Sequence, residues 1–219
     1  MASETDDRLD TARALRDLNH AFVAHDRDVG GLRELQAVVA AQVDAMRQGG
    51  RRDRLALMQA ARAANPGGSF AGTAGGSGSG FEDRAVGGRA NPTGVEFEVR
   101  YEGDEVVADV LLRRGFEGPP GRAHGGIVAA VFDDITGFVI GQLGEPAFTG
   151  ELTVRFLAPV PIEAPLTIRT RLAERERRKL FITAEMHAAA EPGSPVVATC
   201  KATYIAVDPS IFAGSPDPR

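Results

Sequence analysis

The sequence predicts an α+β domain built on one long buried helix with strands before and after it. Three observations carry this. The run from Gly125 to about Leu143 is apolar, continuous and too long for a strand. The stretches flanking it alternate apolar and polar residues, as half-buried strands do. And the strands come in blocks around a single helix instead of alternating with helices, which separates α+β from α/β.

The chain opens with charged, alanine-rich sequence, residues 1–64, in which Leu15, Leu18 and Phe22 recur at helical spacing, as do Leu32, Leu35, Val39 and Met46. Gly30-Gly31 separates the two runs, so an amphipathic helical hairpin is expected, packed as an appendage on its own or a neighbouring core. The functional alternative is a lid or dimerisation element. Residues 65–80 form a glycine/serine tract that reads as a flexible linker. The main domain then runs over 81–208, and 209–219 is a tail.

Within that domain GVEFEVRYEG and DEVVADVLLRR read as the first two strands. The glycine- and proline-rich connection GFEGPPGRA leads into the helix, which Gly144 and Pro146 end. Four further β-rich stretches follow, near 148–158, 164–174, 179–190 and from Pro195 to Val207.

His124-Gly125-Gly126 and, nine residues after the histidine, Asp133 stand out for their chemistry. Two glycines at a helix start admit close approach, and the first helical turn leaves N–H groups without internal partners, aligned with the dipole to hold a developing oxyanion. Asp133 lies about two turns on, beside that end of the helix. Asp134 is rotated by about 100°, so at most one of the pair faces a given pocket; the other is solvated or paired with a basic side chain.

These residues carry a resemblance. GFEGPPGRAHGGIVAAVFDD resembles the hotdog-fold acyl-CoA thioesterases, particularly the branch of the PaaI-like and THEM4-like enzymes, and the likeness runs from about Phe81 to Asp208. In order follow Thr149 opening TGELTVRFLAPVPI, a basic ERERRKLFITAEM hairpin, and a last strand ending ATCKATYIAV. PaaI-type relatives often place asparagine six residues before the histidine; this chain has Gly118, and its Gly-Pro-Pro-Gly loop fits the THEM4-like variant.

The resemblance implies a hotdog fold, a long central helix wrapped by a curled antiparallel sheet, and an activity, hydrolysis of an acyl- or aryl-acyl-CoA to acid and CoA. It implies that backbone N–H groups at Gly125 and Gly126 polarise the thioester carbonyl. Asp133 would be general base or nucleophile, Thr149 would orient the water or the carboxylate, and His124 would brace the loop and contribute a hydrogen bond. Arg178 and Lys179 become contacts for the phosphates of coenzyme A. The family's site lies between subunits, so a homodimer is expected, with a possible pairing of dimers into a tetramer.

The alternative in another class is a non-catalytic acyl-CoA-binding or sensing module, whose expected mark, loss of the carboxylate, is absent. An enoyl-CoA hydratase ranks last, since no histidine follows an aspartate at its five-residue spacing. Acyl length depends on packing around Phe132, Phe138, Ile140 and Phe156, with Ala129 and Ala130 leaving room.

Composition excludes other classes. At 219 residues, 43% hydrophobic and 25% charged, the chain is neither fibrous nor wholly disordered. A net charge of −5, no tryptophan and no basic stripe argue against nucleic acid as a partner. The longest apolar run is broken by Asp133 and Asp134, and MASETDDRLD lacks the order of a secretory signal, so neither membrane insertion nor secretion is expected and the cytoplasm is. The four histidines lie far apart without metal-ligand spacing, and the GGSGSG tract lacks the Gly-Lys-Ser/Thr of a phosphate loop, so no metal or cofactor is expected. Cys200 reads as a buried small apolar residue, not a nucleophile.

Overall fold

The computed structural model describes residues 4–53, 56–57, 59, 82–189 and 193–208. The linker (65–80) and tail (209–219) lie outside the described residues. The main helices among the described residues are α1 (Glu4–Ala24), α2 (Val29–Gln48) and α3 (Gly125–Leu143), with a short 3-10 turn at Arg114–Phe116. Six strands, β1 (Glu96–Glu102), β2 (Glu105–Leu111), β3 (Ala147–Phe156), β4 (Pro165–Glu176), β5 (Lys179–His187) and β6 (Val196–Ala206), form one antiparallel sheet in the order β1-β2-β4-β5-β6-β3.

Alternation sets which way each strand faces. Leu180, Ile182, Ala184 and Met186 of β5, and Ala198, Cys200 and Ala202 of β6, turn inward against Val128, Val131, Phe132 and Ile135 of α3. Each fully buried aliphatic or aromatic side chain contributes about 1.5–3 kcal/mol. The opposite face carries ion pairs joining Arg100 to Glu102 and Asp109, and Arg169 to Glu102 and Glu105. By length and composition α3 could cross a membrane, yet it is the helix that the sheet buries. It stops at Gly144, which at φ 69° sits in the left-handed region that glycine enters without a Cβ clash.

The N-terminal part differs from the expected hairpin. Gly30-Gly31 does not separate the helices; both glycines lie in the first turn of α2, because Asp28 caps that helix by accepting the Gly31 N–H at 2.7 Å. α2 buries none of its residues. In α1 the apolar stripe faces out: Leu15, Leu18 and Phe22 are exposed, and the buried face is Ala12, Arg16 and His20. The reason is the surface that receives it, which is polar backbone. Arg16 Nη1 donates to the carbonyls of Arg89 (2.9 Å) and Asn91 (2.8 Å), and Asn19 Nδ2 to that of Pro92 (3.2 Å).

Candidate active site

The connection before α3 is a compact loop closed on itself. Gly118 N–H donates to the Arg122 carbonyl (2.8 Å), Ala123 N–H to Val160 (2.9 Å) and His124 N–H to Phe116 (2.9 Å). Gly118 is crowded, since a Cβ there would lie 3.0 Å from His124 Cα. The loop delivers His124 as the N-cap of α3 in extended backbone, with Nδ1 accepting the Gly126 N–H at 3.1 Å. A ring that accepts at Nδ1 carries its proton on Nε2, and the exposed His124 can donate from there.

The packing is close at both glycines. A Cβ on Gly126 would stand 3.1 Å from the His124 ring, and one on Gly125 would stand 3.3 Å from Phe156 Cζ. Of the two expected backbone donors, the Gly126 N–H is engaged by His124. The Gly125 N–H makes no hydrogen bond among the described residues, and as a first-turn amide it lies at the positive end of the helix dipole.

Asp133 is exposed on α3, and Thr149 Oγ1 donates to its Oδ1 at 2.9 Å. A β-bulge makes this contact possible. The register of β3 on β6 shifts between Thr149 and Glu151, so that Thr149 and Leu152 both face the helix, which strict alternation forbids. Gly150 sits in the bulge, where a Cβ would come within 3.1 Å of Ile205 Cγ1. Behind the carboxylate, Tyr204 donates its hydroxyl to the Asp133 carbonyl at 3.0 Å and shares a 2.9 Å hydrogen bond with Thr136 Oγ1. Burial pushes the Tyr204 phenol up to about 12, so it stays protonated at neutral pH.

Asp134 turns away and is partly buried. Its Oδ2 lies 3.4 Å from Arg84 Nε, the Arg84 guanidinium stacks 5.0 Å from the Phe138 ring, and the Gly87 N–H also donates to this carboxylate. Burial raises its pKa above the usual aspartate value, against the opposing pull of Arg84. The two adjacent acids are thus separated by environment, one open and oriented by a hydroxyl, the other committed to holding the 82–95 segment on α3.

Cys200 is buried, and burial together with the nearby Asp133 pushes its thiol up to about 12, so it is not a nucleophile. Arg178 commits its Nε to the Ala206 carbonyl (3.0 Å) and Arg175 grips Glu145 through both terminal nitrogens (2.6 and 2.9 Å). Lys179 pairs in register with Ile205, which in turn faces Phe148, so this hairpin end shares the Thr149 end of the sheet but points outward. It does not approach the His124 loop within one chain, because the rise along α3 from Gly125 to Asp133 is already about 12 Å. Phe132, Phe138 and Ile140 are core; Phe156 is exposed beside Gly125.

Sequence reasoning missed Tyr204, the bulge at Gly150, and Arg84. A tyrosine at the end of an alternating apolar strand was a legible signal; the bulge and the ion pair exist only through long-range register.

Residues 120–195 match the thioesterase superfamily. Acyl-coenzyme A thioesterase THEM5 of Homo sapiens is 30% identical over 96 residues, 43% of this chain and 39% of that protein. THEM4 of Xenopus laevis is 33% identical over 95 residues, 42% of this chain and 43% of that protein. THEM4 of Mus musculus is 30% identical over 118 residues, covering 53% and 50%. The chain therefore spans half the length, or less, of these curated relatives. A crystal structure of a thioesterase superfamily protein superposes with a TM-score of 0.71 at 19% identity, over 90% of this chain and 94% of that one, a likeness of fold.

Proposed function

We propose that this chain, whose residues 120–195 match the thioesterase superfamily and whose fold is like that of a thioesterase superfamily protein, hydrolyses the thioester of an acyl- or aryl-acyl-coenzyme A to the free acid and coenzyme A. The observation that carries this reading is the exposed Asp133 carboxylate held by the Thr149 hydroxyl, on the helix whose start offers the Gly125 N–H.

The thioester carbonyl oxygen accepts from Gly125 N–H, with His124 Nε2–H as a second donor, and its carbon becomes more electrophilic. By one route Asp133 removes a proton from water, the resulting hydroxide adds to the carbon, the C–S bond breaks, and the proton ends on the departing thiolate. By the other, the carboxylate itself adds and expels the thiolate, and water then cleaves the mixed anhydride. Thr149 fixes the Asp133 carboxylate in either case.

The span from Gly125 to Asp133, about 12 Å at the ordinary helical rise, exceeds what one carbonyl can bridge. A second copy of the chain completes the site, supplying donors to one protomer's aspartate. The position of β3 at the end of the sheet order, with Phe156 and Leu157 exposed at its end, supports a homodimer through that strand. Pairing of dimers would then follow through other edges or faces. Arg178 and Lys179 would meet the phosphates of coenzyme A from the same sheet end as Thr149, and the cytoplasm is the proposed compartment.

The deciding experiment is thiol release by wild type and Asp133→Asn on short, medium, long and aryl acyl-CoAs. Turnover by the wild type alone supports the reading and names the substrate class. Binding without turnover in both overturns it in favour of a non-catalytic acyl-CoA-binding module.

A further inference from the structure

We propose that α1 supports the active-site loop through the 3-10 turn at Arg114–Phe116, with His20 acting as a positioning residue for the His124-Gly125-Gly126 turn. This inference rests on the thioesterase reading for its kinetic consequence, although the placement itself does not.

His20 is 6% exposed, at the end of the buried face of α1. Its Nδ1 accepts the Gly115 N–H at 2.9 Å, and its ring meets Phe116 edge-on, centroids 5.0 Å apart at 73°. Gly115 has no room for anything larger, because a Cβ there would stand 2.7 Å from His20 Nδ1. The next residue, Phe116, gives its carbonyl to the His124 N–H at 2.9 Å, and His124 caps Gly126. A single chain of contacts thus runs from α1 through two adjacent residues of the 3-10 turn into the loop that aims the Gly125 N–H. That turn has no side-chain cap of its own, so His20 is the group that ties down its amide.

A helix attached merely to cover apolar surface would have turned Leu15, Leu18 and Phe22 inward. Here they are exposed, and on the inner face Arg16 and His20 meet backbone acceptors and a backbone donor beside the buried Ala12. Arg113, immediately before the turn, binds Asp17 of α1 at 2.6 Å and adds a second tie to the same place. The acceptor role needs a neutral ring. Arg16 and Asp17 on α1, Arg113 before the turn and Glu96 at the start of β1 are the charges around it, and burial with Arg113 favours the neutral form.

The test uses the full chain as wild type, His20→Ala and His20→Asn, measuring kcat and KM for thiol release and amide hydrogen exchange over residues 113–127. Asparagine places its Oδ1 where the histidine places Nδ1. His20→Ala is expected to lower kcat about tenfold with KM within a factor of two, since donors aimed at the developing oxyanion act in the transition state, and to speed exchange over 113–127; His20→Asn is expected to recover most of both. Should His20→Ala fail to fold, His20→Gln, which fills the site but carries its acceptor farther out, replaces it. Unchanged kcat and exchange in a folded His20→Ala protein, or an asparagine variant no better than alanine, overturns the proposal. If the wild type hydrolyses no thioester, the catalytic reading fails while exchange over 113–127 still decides the placement: acceleration confined to α1 would refute it.

Discussion

Thr149 Oγ1 donates to Asp133 Oδ1 across 2.9 Å, joining an edge strand to the central helix. A hydroxyl that donates to one carboxylate oxygen fixes the rotamer of the acid and leaves its second oxygen open to water or substrate. The tie depends on the bulge at Gly150, which brings Thr149 to the inner face of the sheet.

Asp133→Asn is expected to lower thioester turnover by about 10²–10⁴-fold, the range a positioned general base supplies, with thermal stability kept. Thr149→Val should lower it about tenfold by removing one hydrogen bond to a charged group. Steady-state thiol release measures both, and a Thr149→Val enzyme with wild-type kcat would detach that hydroxyl from the reaction.

Asp134→Asn should reduce turnover far less than Asp133→Asn, since Asp134 faces Arg84 and the Gly87 N–H and not the open flank of α3. Asp134→Ala, by contrast, is expected to lower unfolding free energy by about 3 kcal/mol, because it strands a largely desolvated guanidinium. Urea denaturation separates the two roles; equal activity losses in Asp133→Asn and Asp134→Asn would undo the assignment of the base.

Tyr204→Phe removes the hydroxyl shared by Thr136 and the Asp133 carbonyl. A stability loss of about 1–2 kcal/mol is expected, part of it from the partners left unpaired. A several-fold drop in kcat should accompany it, because the helix at Asp133 is no longer pinned to β6; differential scanning calorimetry alongside kinetics checks both.

Stability should fall as pH drops below the ordinary histidine value of 6.5 and through the lower folded value of His20. Its folded pKa is depressed, chiefly by burial and then by Arg113, so the unfolded chain binds the proton first and the neutral-ring contribution is lost on acidification. His20→Asn should flatten that part of the stability profile. A profile of unchanged slope in the variant would assign the pH dependence to other groups.

Gly126→Ala is expected to displace the His124 ring, 3.1 Å from the new Cβ, and with it the cap of α3. Loss of an N-cap costs about 1 kcal/mol, and turnover should fall with it. A Gly126→Ala protein with full activity in the thiol-release assay would show that the His124 cap does not serve catalysis.

By itself the sequence determined the elements and their order. Alternation and β-rich composition located the strands of the sheet within a few residues, and an apolar run stopped by Gly144, which takes φ 69°, located α3 from Gly125 to Leu143. Those signals are local, since a strand's inner face or a helix stop is written in neighbouring residues. The residues themselves singled out Asp133, the resemblance added Thr149, and the two are in contact in the structure. Tertiary structure alone decided the rest. Periodicity put Leu15, Leu18 and Phe22 of α1 inward, but periodicity assumes an apolar receiving surface; the surface offered is backbone N–H and carbonyl groups, so Arg16 and His20 are buried instead. The choice of Arg84 as the partner that holds Asp134 and the bulge that aims Thr149 depend on residues far away in the chain, and no local pattern carries that information.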